Sequence, residues 1–497
     1  MTNFQSLNAI LPVVVLAVTG MIVLLGDTCL SFWRRSASAS GIVSLVGIVV
    51  AAFVGLARLG DPMLHFKAFN GALSVGPFTQ ACTMILLLVA AMAVLVALTY
   101  LDNRGLNQGE YYALLLFATC GAILMCAAND LIVLFVAVEL LSVALYILTG
   151  FAKADKKSQE AALKYFLLGS FAAGFLLYGI ALVFGGTSVS GLIGTTNLTT
   201  ITARIPDTPS FMFMAGLALV LVGLGFKAAL APFHMWAPDV YEGAPTSVTG
   251  FMATAVKIGA FAALLRLMSH LGAISQFWLP SLEVIAILTM VVGNLLAVTQ
   301  TNVKRMLAYS SVAHAGYLLI AVSACANVAT RPEALQAGLF YLLAYALMTM
   351  GAFAVLVYLS SRNHDCETLQ DIAGLVKKEP LAAYLMAVFM LSLGGIPPTM
   401  GFVGKWLLFS VAMQAHLTAL AVTLALVSMV AVFYYLRVIW SMCFQDPDVN
   451  TLGATSVAPA GVQITIVCAA VLSLLLGVIP AIVHPMLLAA QTLVQHL

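Results

Sequence analysis

The chain has 497 residues, 62% of them hydrophobic and only 8% charged, against roughly 25% charged in an ordinary soluble domain. That composition excludes a soluble enzyme and implies an integral membrane protein, while a formal net charge of +2 identifies no partner, because Lys and Arg in such a chain report orientation. The eight cysteines include no C-x-x-C pair and no phosphate-binding or dinucleotide fingerprint occurs, so no metal centre, nucleotide site or redox cofactor is expected in this chain.

A membrane-crossing helix takes about 20 mainly apolar residues. Fourteen such runs follow one another, at roughly 8–32, 41–59, 76–100, 111–128, 130–151, 160–186, 210–236, 247–270, 279–299, 303–325, 334–359, 380–414, 417–443 and 457–490. The first is read as a retained span: MTNFQSLN carries no Lys or Arg and the run is too long for a signal peptide, although SASAS (36–40) resembles a cleavage site. The longest polar stretches are only 187–209 and 360–379, so the expected fold is one all-α polytopic membrane domain over 1–497. Three helices (1–109) come first. A five-helix unit (110–270) follows, then a second (279–443), then a C-terminal helix (444–497).

The seventh run is broken by Pro232 and the twelfth by Pro397 and Pro398, in GGIPPTMGFVGKW, with Lys227 and Lys405 beside the breaks. If spans four to eight and nine to thirteen are the two units, the broken, lysine-bearing helix is the fourth member of each. An odd number of spans makes the second unit enter from the opposite face, the pattern of inverted repeats whose interrupted helices mark an ion pathway. A proline lacks an N–H and pushes on the carbonyl four residues back. Pro232 thus frees the carbonyl of Ala228, and Pro397 and Pro398 free those of Leu393 and Gly394. Such groups persist in a membrane only where protein or water meets them, which points to a hydrated cavity at mid-depth. With the N-terminus outside, twelve loop Lys and Arg fall inside and five outside, so both termini are expected on the outer side of the membrane.

A charge at the centre of a membrane helix costs about 2.5 to 3.5 kcal/mol, so Glu139, Lys227, Lys257 and Lys405 together cost on the order of 10 kcal/mol, comparable with a whole domain's net stability. Glu139, in LFVAVELLSVALYILTG, has only apolar neighbours and needs a cation from another helix; Lys227 is the candidate. Lys257 lies mid-span with no acid within several turns. Burial lowers a lysine's pKa and a nearby carboxylate raises it, so such sites suit proton exchange near neutral pH. Lys164 stands near the start of its span, where snorkelling competes with function. His234, just after the first break, and His314, in the tenth span, are candidate relays or packed polar core. Arg266 and Arg437, near span ends, read as anchors, and Asn294, Gln300 and Tyr317 as groups that position water.

Three segments, GFKAALAPFHMWAPDVYEGAPTSVTGFMATAVKIGAFAALLRL (225–267), GNLLAVTQTNVKRMLAYSSVAHAGYLL (293–319) and GGIPPTMGFVGKW (394–406), resemble the antiporter-like membrane subunits of respiratory complex I, the proton-pumping NADH:quinone oxidoreductase. The resemblance runs from about 80 to 440. It implies a proton-translocation chain in which Glu139 pairs with Lys227 and Lys257 leads to Lys405, with Lys164 and His234 matching further family positions. It also implies a hetero-oligomer whose other membrane subunits surround this chain in lipid, with FMN, iron–sulfur clusters and quinone in partner subunits and no nucleic acid. Two rival readings are a subunit of a multisubunit cation/proton antiporter and a purely structural membrane subunit.

Overall fold

The computed structural model describes residues 3–29, 38–57, 66–188, 192–360, 366–446 and 460–491. Arg34, Arg35, Arg58 and Arg362, used above for orientation, lie outside the described residues, as does part of SASAS. In chain order the helices are α1 (Asn3–Ala9), α2 (Leu11–Cys29), α3 (Ala39–Leu56), α4 (Pro77–Arg104), α5 (Gly109–Ala127), α6 (Leu131–Thr149), α7 (Lys156–Gly186), α8 (Leu198–Arg204), α9 (Phe211–Ala228) and α10 (Trp236–Gly243). They continue as α11 (Thr246–His270), α12 (Ser275–Val298), α13 (Val303–Ala324), α14 (Arg331–Leu359), α15 (Leu375–Lys378), α16 (Pro380–Gly394), α17 (Met400–Gln414), α18 (Thr418–Phe444), α19 (Ala460–Val478) and α20 (His484–Gln491). A small antiparallel hairpin, β1 (Phe66–Ala68) and β2 (Leu73–Val75), pairs Phe66 with Val75.

Among the described residues thirteen helices are long and apolar enough to cross a membrane. The expected twelfth span is instead two helices of 15 residues each, α16 and α17. At 1.5 Å per residue each reaches only about 22 Å, short of a hydrocarbon core of about 30 Å, so the pair shares one crossing. The seventh run divides likewise into α9 and the eight-residue α10.

Burial orders the helices. Every residue of α11 is buried, and α13 and α14 are nearly so. The outer helices turn large apolar side chains outward, among them Phe53 on α3, Phe171 on α7 and Met429 on α18. In water so much exposed apolar surface would drive association; it is the surface lipid requires. Close approach of α7 and α9 depends on two glycines, since a Cβ at Gly179 would meet the backbone N of Val220 at 2.7 Å and one at Gly216 the N of Val183 at 2.7 Å. Small residues of this kind replace the missing hydrophobic drive between helices in lipid. Helix starts are capped by side chains: Asp130 accepts from Ile132 N, Ser210 from Phe213 N and Asn302 from Arg305 N.

The two breaks share one backbone design. After α9, Ala229 is left-handed (φ 58°) and the chain closes with Ala229 N to Phe226 O at 3.0 Å and Leu230 N to Gly225 O at 2.8 Å. After α16, Gly395 is left-handed (φ 81°), with Gly395 N to Ser392 O and Ile396 N to Leu391 O, both at 3.0 Å. Both are paired caps that satisfy the last carbonyls of a helix. A cis proline peptide follows each, at Ala231–Pro232 and Pro397–Pro398.

Candidate functional site: a buried line of amines and hydroxyls

Lys227 is the penultimate residue of α9, and the α7 and α9 glycine contact brings it against Tyr165. Its Nζ donates to Ser142 Oγ at 2.9 Å and to Tyr165 OH at 3.0 Å, and lies over the Tyr165 ring at 5.1 Å. The direct ion pair with Glu139 expected from the sequence is not formed. Glu139 sits half-buried on the outer flank of α6, beside exposed Val136, Leu140 and Val143. Ser142, on the buried face of the same helix, takes the amine instead. The two charges still act on each other through space.

Lys257 lies at the middle of α11 and reaches across to α13. Its Nζ donates to the Ser311 carbonyl and, at 2.7 Å, to Ser311 Oγ, and stands 4.8 Å from the Tyr345 ring. Tyr345 OH donates to the same Oγ at 2.8 Å. One helical turn along α13, His314 is held at both nitrogens, by Tyr341 OH at 2.7 Å and Tyr435 OH at 3.1 Å, and Tyr435 also bonds Ser310. Asn294 then receives Tyr434 OH at 3.1 Å and donates to Tyr317 OH at 2.9 Å. Lys405, early in α17, stands over the Tyr317 ring at 5.3 Å and donates to Gly394 O at 2.8 Å. That carbonyl is one of those the sequence identified as freed by the proline pair, and the amine itself meets it.

Lys227, Lys257 and Lys405 are all buried, and none makes an ion pair among the described residues. Their neighbours are hydroxyls, carbonyls and aromatic faces. Ser and Tyr hydroxyls both donate and accept, so those beside Lys227 and Lys257 can hold the amine in either its charged or its neutral form.

The remaining sequence candidates fall elsewhere. Lys164 is part-exposed near the start of α7, paired with Asp239 and Glu160, each at 2.8 Å. His234 lies in the turn before α10, and its buried Nδ1 meets no hydrogen-bond partner within normal geometry among the described residues. Arg266 is a buried anchor, donating to Thr79 Oγ1 at 2.8 Å and Cys126 O at 2.9 Å. Arg437 ties α18 to Val298 O at 2.9 Å and to the Gln300 carbonyl, and the part-exposed Gln300 side chain bonds only locally. Sequence reasoning missed Ser142, Tyr165, Ser310, Ser311, Tyr341, Tyr345, Tyr434 and Tyr435. The signal for several was present: Ser310, Ser311 and His314 recur at helical spacing, as do Tyr341 and Tyr345.

Two cavities open beside Arg305. One, of about 200 Å³, is lined by Lys157, Glu160, Lys164, Asp239, Glu242 and Arg305. Its neighbour, of about 330 Å³, is bordered by Arg104, Lys157, Glu242, Lys304 and Glu367. A third, of about 320 Å³, lies between α14, α17 and the chain after α19, with Glu333, Phe340, Val403 and Gln414 in its wall.

Residues 128–431 match the family described as NADH:quinone oxidoreductase/Mrp antiporter, TM. The chain is similar to the NADH-quinone oxidoreductase subunit N of Chloroflexus aggregans, 45% identical over 89% of this chain and 88% of that one. It is also similar to the subunit N of Trichlorobacter lovleyi, 42% identical over 96% and 95%. Among solved structures it superimposes on a chain of respiratory complex I from Thermus thermophilus with bound aureothin, with a TM-score of 0.79, 37% identity and coverage of 95% and 98%.

Proposed function

The chain belongs to the NADH:quinone oxidoreductase/Mrp antiporter transmembrane family, and on that premise we propose that it is the subunit N-type, antiporter-like proton-translocating subunit of a proton-pumping NADH:quinone oxidoreductase. The observation that carries the reading is the buried line itself. Three amines on α9, α11 and α17 are each held by hydroxyls or a carbonyl rather than a carboxylate, and a histidine held at both nitrogens stands one helical turn from the residue that holds the second. A scaffold gains nothing from burying three cations away from any carboxylate.

In this reading Lys227, Lys257 and Lys405 carry protons, His314 passes them between the second and third, and Glu139 shifts the balance at Lys227 from the flank of α6. A half-buried carboxylate at that depth calls for cover by another protein rather than lipid, which suits a hetero-oligomer of membrane subunits. His234, just after the first break, and Lys164, at a cavity mouth, serve as side entries. Residues 110–270 and 279–443 form two inverted five-helix repeats, and the shared cap design at the two breaks supports that pairing. Both termini face the periplasm of a bacterial inner membrane, so the Arg305 side is cytoplasmic. Electron transfer takes place in partner subunits, which hold FMN, iron–sulfur clusters and quinone.

The test is Lys227→Ala in the assembled enzyme. Protons moved per NADH oxidised fall, while electron entry from NADH to an artificial acceptor stays intact. An unchanged proton-to-electron ratio overturns the reading.

A further inference from the structure

Beside Arg305 stands a charge cluster of which the proton line uses only Lys164, as a side entry. Asp239 accepts Lys164 Nζ on Oδ2 at 2.8 Å and Arg305 on Oδ1 at 2.9 Å, and Glu242 accepts the same Arg305 nitrogen at 3.0 Å. Both carboxylates are on α10, which has only eight residues and is too short to hold its own shape. Its other side chains reach the surroundings of two amines at once. Trp236 stacks flat on Tyr165, with centroids 4.6 Å apart and planes 8° apart, and donates Nε1 to Phe226 O at 2.8 Å, next to Lys227. Tyr241 meets the Trp236 ring edge-on at 6.1 Å, and its hydroxyl lies against Ser311, the residue that holds Lys257.

The anchors of Asp239 are not arbitrary. Lys164 is the residue before Tyr165, the acceptor for Lys227; Arg305 is on α13, the helix of Ser311, the acceptor for Lys257. One carboxylate therefore ties together the two helices whose hydroxyls hold the two amines. Reacting groups misplaced by 1 Å lose on the order of 10²-fold in rate, so whatever sets this separation sets the transfer.

We propose that Asp239 is a positioning residue for proton transfer: by joining Lys164 of α7 to Arg305 of α13 through α10, it fixes the spacing between the surroundings of Lys227 and Lys257. This rests on the proton-carrying reading above. It predicts that removing the charge disturbs transfer without touching either amine.

The test uses the assembled enzyme in proteoliposomes, with Asp239→Asn, Asp239→Glu, Arg305→Gln and, as reference, Lys227→Met. Protons per NADH and the pH profile of coupled quinone reduction are measured per assembled complex. In Asp239→Asn and Arg305→Gln, coupled turnover falls about tenfold or more and the pH profile shifts, while Asp239→Glu restores most of both. Wild-type turnover and profile in Asp239→Asn overturn the assignment. So does equal loss in the Asn and Glu variants with an unshifted profile, which marks a role in assembly alone. If Asp239→Asn does not assemble, Arg305→Gln, which leaves the Lys164 bond in place, decides by the same measurements. Lys227→Met separates the two levels. Intact pumping there brings down the proton line and this assignment with it, whereas lost pumping there beside full pumping in Asp239→Asn brings down only the assignment.

Discussion

Ser311→Ala is the sharpest probe of the line, because Ser311 holds Lys257 by two atoms and only one is removed. The substitution leaves the Ser311 carbonyl and the Tyr345 ring in place and deletes the 2.7 Å bond from Nζ to Oγ. A hydrogen bond to a charged group is worth about 1.5 to 3 kcal/mol and one to a neutral group about 0.5 to 1.5 kcal/mol, so the Oγ contact favours the ammonium form by about 1 to 1.5 kcal/mol. At 1.36 kcal/mol per tenfold, the loaded-to-empty ratio of Lys257 falls roughly 5- to 13-fold. The same change strips Tyr345 OH of its acceptor, costing about 1 to 3 kcal/mol, but that cost falls equally on the loaded and empty forms and touches stability rather than transfer. The assay is proton uptake into inverted membrane vesicles, measured against NADH oxidation with quinone and with an artificial acceptor. Uptake and quinone-linked turnover fall together, the artificial-acceptor rate stays, and Ser311→Thr, which keeps a hydroxyl, recovers most of the loss. Full uptake in assembled Ser311→Ala enzyme refutes the argument.

Lys405→Met keeps the side-chain volume but withdraws the donor from Gly394 O; the bare carbonyl costs about 1 to 3 kcal/mol, and a complex that still assembles on a native gel pumps little or nothing. Gly401→Val drives a side chain into the backbone carbonyl of Ser392, which a Cβ at Gly401 already overlaps; the loss exceeds about 3 kcal/mol, and native gels show no assembled complex. Lys377→Ala serves as the control. Its bridge to Asp446, 2.7 Å long, is exposed, so pumping per complex is unchanged. The hydrogen bond and charge of Lys377 hold the Asp446 carboxyl below its usual range. What the bridge contributes is therefore present above the ordinary carboxylate pKa of about 4, pH 7 included, and lost as pH falls through the lower folded value, but so exposed a pair contributes so little that thermal denaturation at pH 7 barely moves.

The fold and the skeleton of the site were legible because lipid enforces both. Each apolar run became helical, and the two whose mid-span prolines mark breaks became helix pairs, since no water is present to excuse an unpaired backbone group, while the last run also divides, at Pro480. Lys227, Lys257 and Lys405 announced themselves by being expensive. The partners did not. Serine and tyrosine cost little in a membrane helix, so Ser142, Ser311 and Tyr345 leave no mark in a run of apolar residues, and their role depends on which face of which helix meets an amine. Glu139 illustrates the limit: its position on α6 was readable, but whether it or Ser142, three residues on, faced Lys227 was set by the rotation of α6 against α9. Asp239 was hidden for another reason, since an acid near a helix end reads as solvated until Lys164 and Arg305 are seen to converge on it from two different helices.

The separation of charges in the structure follows from what a proton carrier must do. A carboxylate in contact with an amine favours the loaded form alone, so an ion-paired lysine holds its proton. A hydroxyl accepts from an ammonium and donates to a neutral amine, so it holds both forms and favours the loaded one by only about 1 to 1.5 kcal/mol. Carboxylate contacts are accordingly kept to the wet rim, at Asp239, Glu242 and Glu367. The interior pairs each of its three amines with Ser142 and Tyr165, with Ser311, or with the Gly394 carbonyl. Glu139 is the exception, and it stands off by one turn of α6 with Ser142 occupying the contact. From there its charge biases Lys227 without binding it, which is the arrangement needed if a change outside this chain is to load the amine at one moment and release it the next.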